Sequence, residues 1–273
     1  MQDKVQEVKE FYDANAQVEW ERFDRHHAEF IITKRFMERY IKPGDTVLDV
    51  GGGPGRYSLH FAARGHDVTL VDLSPGNVAF AKAKAAELGL PIKALAGDAR
   101  CADTLVDGQY DHVFLMGPLY HLLEEADRIA AVEACMKKLK PGGLLYVSFI
   151  SSFAGVIYMM KYEPAMLQSN PIEVEFAQLV IDDKPFAGVG FTQCYFIRQQ
   201  DVLPFMERFP LEKLHFFGQE SILSPCEPNI DAQPDEVRER WYTYAEQLSE
   251  RQELLSFSEH YMYIGRKGMG VAR

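Results

Sequence analysis

The chain is poor in cysteine. Only Cys101, Cys135, Cys194 and Cys226 occur among 273 residues, far apart and with no C-x-x-C pair. That excludes a zinc knuckle or a disulfide framework and suits a reducing, cytoplasmic setting. Positive charge is also in deficit. With 29 basic against 40 acidic side chains the formal charge is -11. An acidic chain repels a phosphate backbone, so nucleic acid is not an expected partner. Residues 1–4 are polar and charged after Met1 and hold no apolar h-region, so no secretory leader is read. No internal repeat or low-complexity stretch is visible. Residues 141–160 lack charge over a length that nominally crosses a bilayer. Gly142, Gly143, Ser148, Ser151, Ser152 and Gly155 interrupt that span, and its first half has strand character. It reads as a buried strand entering an apolar segment, with no membrane span. Length and an apolar content of 47 % fit one large soluble domain, or a domain with a lid, as a monomer or homodimer.

What the chain does have is glycine in one informative place. Asp49-Val50-Gly51-Gly52-Gly53-Pro54-Gly55 follows the apolar pair Val47-Leu48 and opens into Arg56-Tyr57-Ser58-Leu59. That is a strand, a glycine-rich turn and a helix start. Such a turn lets a ligand approach the backbone and meet unpaired helix N–H groups. The dinucleotide fingerprint G-x-G-x-x-G does not fit, because its third glycine falls on Arg56 or on Ser58. What fits is an acidic residue and then glycine at alternate positions: Asp49, Gly51, Gly53, Gly55.

Around this turn the pattern alternates strand and helix. Strands are expected at 46–50, 67–71, 91–95, 110–116 and 144–150, with helices at 56–64, 75–88 and 124–140 between them. Ser74 is the expected N-cap and Gly89 the C-terminal stop of the second helix. Pro141-Gly142-Gly143 is expected to end the third. Before the alternation, residues 3–41 read as helical, with one apolar stripe at Val5, Val8, Phe11 and Tyr12 and another at Ile32, Phe36, Met37 and Tyr40. His26-His27 between them reads as a solvated polar face, because adjacent residues point to different sides of a helix. After residue 150 the alternation breaks. Residues 151–198 are rich in Met, Phe and Tyr and read as an inserted segment. A helix at 200–209, a strand at 211–217, a helix at 235–255 and a strand at 260–267 close the chain. The last helix carries Val237, Trp241, Tyr244 and Leu248 on one face. The fold class is therefore α/β, with a doubly wound, mostly parallel sheet. Four segments are expected: an N-terminal helical cap at 1–44, a ligand-binding core at 45–150, a lid or substrate segment at 151–199, and the rest of the core sheet with helices at 200–273. Ligands of such sheets lie at the carboxyl ends of the strands, where Asp49, Asp72, Asp98 and residues 116–121 all fall.

These residues resemble those of the class I S-adenosylmethionine (SAM)-dependent methyltransferases, over roughly residues 45–150 and the last two strands. The resemblance implies a seven-stranded sheet ending in an antiparallel hairpin, SAM as cofactor and S-adenosylhomocysteine (SAH) as product, with no metal expected. It implies that Gly51, Gly52, Gly53 and Gly55 pass under the methionine and ribose parts of SAM, and that Asp49 acts on the cationic methionine end. Asp72, 17 positions after Gly55, corresponds to the acceptor of the ribose hydroxyls. Asp98 corresponds to the acceptor of the adenine amino group, with Leu73 and Ala99 beside the ring and Met116 at the end of strand four. In many such enzymes an N-terminal helical segment closes over the cofactor; Tyr12, Trp20 and Arg22 are the candidates here.

The stretch Met116-Gly117-Pro118-Leu119-Tyr120-His121-Leu122 bears on the chemistry. Amino-methyltransferases of nucleic acid and protein glutamine carry Asn/Asp-Pro-Pro-Tyr/Phe at this place, and this chain does not. No cysteine nucleophile of the cytosine-C5 type stands there either, and Pro225-Cys226 lies in the wrong part of the chain. Gly-Pro-Leu-Tyr-His-Leu resembles a group of bacterial methyltransferases. His121 titrates near neutrality in its ordinary state, and is a candidate general base or substrate contact. Tyr120 is a candidate wall of the same site. The expectation is O-, N- or C-methylation of a small-molecule acceptor. RNA or protein methylation, a SAM-binding protein without transfer activity, and a NAD-dependent oxidoreductase are the alternatives.

Overall fold

The computed structural model describes residues 2–269; residue 1 and residues 270–273, the outer ends of the first and last expected segments, lie outside the described residues. Helices α1 (Gln2–Arg22) and α2 (His27–Glu38) come first. Strand and helix then alternate through β1 (Thr46–Val50), α3 (Arg56–Ala62), β2 (Asp67–Asp72), α4 (Pro75–Leu88), β3 (Ile92–Ala96), a short α5 (Ala102–Leu105), β4 (Tyr110–Leu115), α6 (Glu125–Lys138) and β5 (Leu139–Ile150). The 151–198 stretch forms α7 (Ala154–Tyr162), α8 (Met166–Ser169), α9 (Pro171–Ile181) and a hairpin of β6 (Phe186–Val189) with β7 (Gln193–Phe196). The chain then adds α10 (Gln199–Met206), β8 (Leu211–Gly218), α11 (Glu227–Asp231), α12 (Asp235–Leu248) and β9 (His260–Lys267).

Seven strands make the main sheet in the order β3-β2-β1-β4-β5-β9-β8. The first five run parallel, and β9 and β8 join antiparallel. The continuous apolar runs of β1, β4 and β5 are explained by helices on both faces. Val113, Phe114 and Leu115 are fully buried, facing alternately a core under α6 and α10 and a core under α2 and α3. Between β1 and β4 the direction of winding reverses. The loops leaving the two strands part there and open a crevice at their carboxyl ends. Ser74 caps α4 by accepting the Asn77 amide, and Gly89 ends it at φ +66°. No described helix is long and apolar enough to cross a membrane.

Three local expectations differ from the structure. The helix expected to reach residue 140 ends at Lys138, and β5 begins at once at Leu139, so Pro141-Gly142-Gly143 lies inside the strand. A register shift opposite Tyr110 and His112, with Gly142 at φ +77°, lets the strand absorb a proline there. The helix from Asp235 stops at Leu248, and residues 252–257 form a separate 3₁₀ segment. Its stripe of Val237, Trp241 and Tyr244 faces outward, while Tyr242 and Ala245 are the buried residues. The side of α12 nearest α2 is polar because Arg35 pairs with Glu239 and Glu246, and Arg39 pairs with Glu246. Finally, His26-His27 is not a solvated face. The His26 side chain is only 16 % exposed at the start of α2, 3.7 Å from Glu227, and His27 lies 3.1 Å from Asp231. The α1–α2 break turns both rings toward α11 instead of along one helix.

Candidate functional site

Gly51, Gly53 and Gly55 have φ of +76°, +55° and +92°, a backbone that side chains with a Cβ adopt only under strain. Their alternate spacing coils the chain tightly from β1 into α3. The constraint at Gly51 is steric as well. A Cβ there would stand 2.3 Å from Cδ of Pro118, so the glycine turn nests against the loop after β4. At Gly52 a Cβ would meet the Asp49 carboxyl at 2.8 Å. One cavity of about 680 Å³ opens over this turn and runs to the 151–198 segment.

Three strand ends bring carboxylates to the cavity. Asp49 is buried, accepts the Ser58 hydroxyl at 2.7 Å, and is pushed up to about 7 by burial. Asp72 accepts from the Ser74 amide at 2.9 Å and the Asn77 side chain at 3.2 Å through Oδ1, and from the Gly53 amide at 2.8 Å through Oδ2. Oδ2 keeps acceptor capacity, and the neighbouring Oδ1 of Asn77 is buried with no partner among the described residues. The remaining capacity of Asp72 Oδ2 and the unpartnered Asn77 Oδ1, on two residues that line the cavity, suit a ligand that offers paired hydroxyls. Asp98 lines the same end, but its hydrogen bonds go to the Arg100 amide and guanidinium. Leu73, Ala99 and Met116 line the cavity beside these groups.

The loop after β4 carries Tyr120 and His121 into the cavity. Arg128 from α6 holds this loop by donating to the Leu122 and Leu123 carbonyls at 2.6 and 2.8 Å. His121 Nδ1 lies 2.9 Å from the Gln193 carbonyl. A carbonyl only accepts, so Nδ1 carries the proton and Nε2 of the neutral ring is bare. Nε2 then accepts from the Tyr12 hydroxyl at 2.8 Å. Burial lowers His121 to about 4, so the ring stays neutral at physiological pH. Of the α1 candidates, Tyr12 and Arg22 line the cavity. Trp20 does not: it packs on Phe80 of α4 with centroids 5.7 Å apart, under the Arg56 guanidinium. Helical geometry explains this, since Glu19 and Arg22 share one side of α1 and Trp20 lies about 100° round the axis from Glu19.

Sequence reasoning missed a second group at the far end of the cavity. Arg22 donates twice to Glu29, at 2.6 and 3.0 Å. His260 Nδ1 is 2.6 Å from Glu220 and 3.8 Å from Glu29. Burial disfavours a charged His260, but Glu29 and Glu220 outweigh it and lift the ring to about 9. Burial disfavours a charged Glu29 too, but Arg22 and His260 hold it at about 2. Below these, Lys161 reaches Glu227 at 3.2 Å and Glu259 at 2.9 Å with no exposed side-chain surface. These residues come from α1, α2, α7 and the loops around β8 and β9, so no local motif announces them. Asp13 was missed as well. It accepts from the Ser74 hydroxyl at 2.6 Å and the Gly76 amide at 2.8 Å, docking α1 on the start of α4. In the 151–198 segment, Asn170-Pro171 was a readable helix start: Asn170 caps α9 by accepting from the Ile172 amide at 3.0 Å.

Comparison with known proteins bears on this arrangement. The methyltransferase domain family matches residues 47–143. A ubiquinone biosynthesis O-methyltransferase of Psychrobacter arcticus is 32% identical over 190 residues, covering 64% of this chain and 67% of that protein. Its counterpart in Psychrobacter cryohalolentis is 32% identical over 164 residues, covering 50% of this chain and 60% of that protein. The matched part thus spans about three fifths to two thirds of those relatives. Among solved structures, magnesium protoporphyrin IX methyltransferase of Synechocystis PCC 6803 with bound SAH superposes with a TM-score of 0.58 at 13% identity, over 97% of this chain and 100% of that one. At that identity the likeness is one of fold.

Proposed function

Because this chain belongs to the class I SAM-dependent methyltransferases, we propose that it methylates a hydroxyl oxygen of a small, largely apolar molecule, with SAM as methyl donor. The observation that carries the reading is the single cavity in which the glycine turn, three strand-end carboxylates and a neutral histidine meet. Relatives named for O-methylation support an oxygen acceptor. When bound, SAM supplies an electrophilic methyl group on a sulfonium.

The chain's own residues then have separable tasks. Gly51 to Gly55 admit the methionine and ribose parts by close backbone approach. Asp49 faces the cationic methionine end. Asp72 and Oδ1 of Asn77 accept the ribose hydroxyls, and Leu73 and Ala99 flank the adenine. Asp98 takes the adenine amino group at the expense of part of its pairing with Arg100. Tyr12 and Arg22 close the cavity from α1, and Trp20 braces that helix against α4. Alignment and exclusion of water supply most of the rate in such a transfer. For a hydroxyl acceptor a base adds to it, and Nε2 of His121 is the group able to receive the proton. Tyr12, bonded to that same nitrogen, orients the ring and occupies Nε2 until an acceptor hydroxyl replaces it. The aromatic side chains of Phe176, Phe186, Phe191 and Phe196 give the acceptor an apolar bed. Four free thiols support a cytoplasmic site of action.

The test combines calorimetry with labelled-methyl SAM. SAM and SAH are expected to bind in the micromolar range, and Asp72→Ala to weaken both by about 30–150-fold, the loss of two hydrogen bonds of ~1–1.5 kcal/mol each. With cell extract fractionated into metabolites, RNA and protein, label is expected among the metabolites. His121→Ala is expected to lower turnover by about 10²–10⁴-fold while leaving SAH affinity near wild type. No binding at millimolar SAH sinks the reading. SAH binding with no transfer to any fraction makes the chain a non-catalytic SAM binder.

A further inference from the structure

We propose that the far end of the cavity is an anion subsite, in which His260, fixed by Glu220 and Glu29, and Arg22 hold an oxyanionic group of the acceptor, a carboxylate or a phosphate. The inference rests on the methyl-transfer reading of the same cavity and names what the acceptor carries besides the atom to be methylated.

Glu29 spends its acceptors on the two Arg22 hydrogen bonds. Glu220 spends both oxygens on His260, one on Nδ1 at 2.6 Å and one on the backbone amide at 3.0 Å. Gln219 accepts from Ser148 and donates to Thr33. The acceptors at this end are largely filled, and the donors are not. His260 Nε2 makes no hydrogen bond among the described residues, in a side chain that lines the cavity. Arg22 has N–H groups left over; its Nε lies 3.7 Å from Glu19. Tyr57 also lines the cavity, with its buried hydroxyl beside Thr33. An unfilled set of donors in a low-dielectric cavity selects a ligand that brings acceptors, and charged ones most strongly.

The same geometry places the proton. Arg22 and Glu29 neutralise one another, and so do His260 and Glu220, so an incoming anion meets no net negative charge from these pairs. With two carboxylates on its Nδ1 side, His260 keeps its second proton on Nε2 at neutral pH. Glu29, Glu220 and Arg22 face it from α2, the β8 exit and α1, with Tyr120, Glu259, Lys161 and His26 nearby. Ser221, next to Glu220, sits at φ +53°, a strained backbone for serine. Glu29, Glu220 and His260 also bring their ligand-type atoms within 4.8 Å of one another, as a metal site does. Here a guanidinium and a proton already occupy the places a cation would take. Tyr120 stands between the two histidines, its ring centroid 5.0 Å from His121 and 6.4 Å from His260.

The experiment is calorimetry on the full chain loaded with SAH, titrated with phenylacetate, phenyl phosphate and uncharged phenylacetamide. At pH 7 at least one of the two anions is expected to bind ten-fold or more tighter than the amide, and the better anion identifies the group. Phenylacetate affinity is expected to fall as pH rises through about 9. His260→Gln is expected to abolish the preference and His260→Lys to restore part of it, with SAH affinity as the check on folding in each. The His260 ring resonance in the intact protein, followed by NMR, is expected to shift on adding the anion. Equal affinity for anions and amide in the wild type overturns the proposal, as does a preference that survives in His260→Gln or one that appears only with added Mn²⁺ and vanishes with chelator. Failure of SAH itself to bind overturns the methyl-transfer reading instead.

Discussion

Replacing Gly51 by alanine, with Gly53→Ala as its internal control, separates two roles of the glycine turn. Both residues have positive φ, +76° and +55°. Each alanine therefore carries the left-handed penalty of ~1–2 kcal/mol. Their surroundings differ. A Cβ on Gly53 finds only the Asn77 amide, at 4.0 Å. A Cβ on Gly51 lies 2.3 and 2.4 Å from two carbons of the Pro118 ring, which has no flexible end to swing away. Overpacking of that kind adds ~1–3 kcal/mol, so Gly51→Ala is expected to destabilise by ~2–5 kcal/mol against ~1–2 for Gly53→Ala. Because Pro118 leads directly to Tyr120 and His121, Gly51→Ala is also expected to lower turnover, where Gly53→Ala mainly weakens SAH binding. Urea unfolding followed by circular dichroism, with SAH calorimetry and a turnover assay on both variants, measures the contrast. Equal unfolding free energies for the two variants, within about 0.5 kcal/mol, would refute the claim that the turn is wedged against the β4 loop.

Two further variants test the buried charges. Lys161→Met leaves Glu227 and Glu259 without their shared cation in a site with no exposed lysine surface. Breaking one side of such a pair costs ~3–5 kcal/mol, measurable by urea unfolding, and a loss below 1 kcal/mol shows that the carboxylates do not depend on it. Asp49 is raised to about 7 by burial, so its contribution to stability is fully present below the unfolded value of ~3.9 and is lost as pH rises through about 7. Asp49→Asn is therefore expected to gain on the wild type between pH 5 and pH 8 in the absence of ligand, and a pH-independent difference rules out a perturbed carboxyl.

That the strand-end residues meet around one cavity was legible because the information is local. Asp49, the alternate glycines, Asp72 and Asp98 each stand next to the strand whose end they occupy, and a parallel sheet brings neighbouring strand ends together whatever the helices do. Ser74 and Gly89 were readable for the same reason, since a cap bonds within its own turn. The misreadings share a different cause. Whether α12 buries Trp241 or Tyr242 depends on Arg35 and Arg39 of α2, some 200 positions away, and the choice of face is made by ion pairs that periodicity does not register. Trp20 looked like a cofactor residue because it is large and stands in the cap, but one step of helical rotation sends it to Phe80.

The acceptor end was illegible for a reason that also bears on how it works. Arg22 was a candidate in the sequence, but its partners Glu29, Lys161, Glu220, Glu227, Glu259 and His260 are scattered through it as ordinary charged residues. Only the closed fold makes them a network, and the contacts of Arg22 and Lys161 join segments that the sheet alone does not hold together. Arg22 and Glu29 tie α1 to α2, His260 ties β9 to the end of β8, and Lys161 ties α7 to both neighbouring loops. The adjacent residues Tyr12 and Asp13 add two further ties of α1, one to His121 and one to the start of α4 beside Asp72. One helix thus touches the candidate base, the candidate ribose site and the candidate anion subsite. Displacing α1 takes Tyr12, Asp13 and Arg22 away from all three at once.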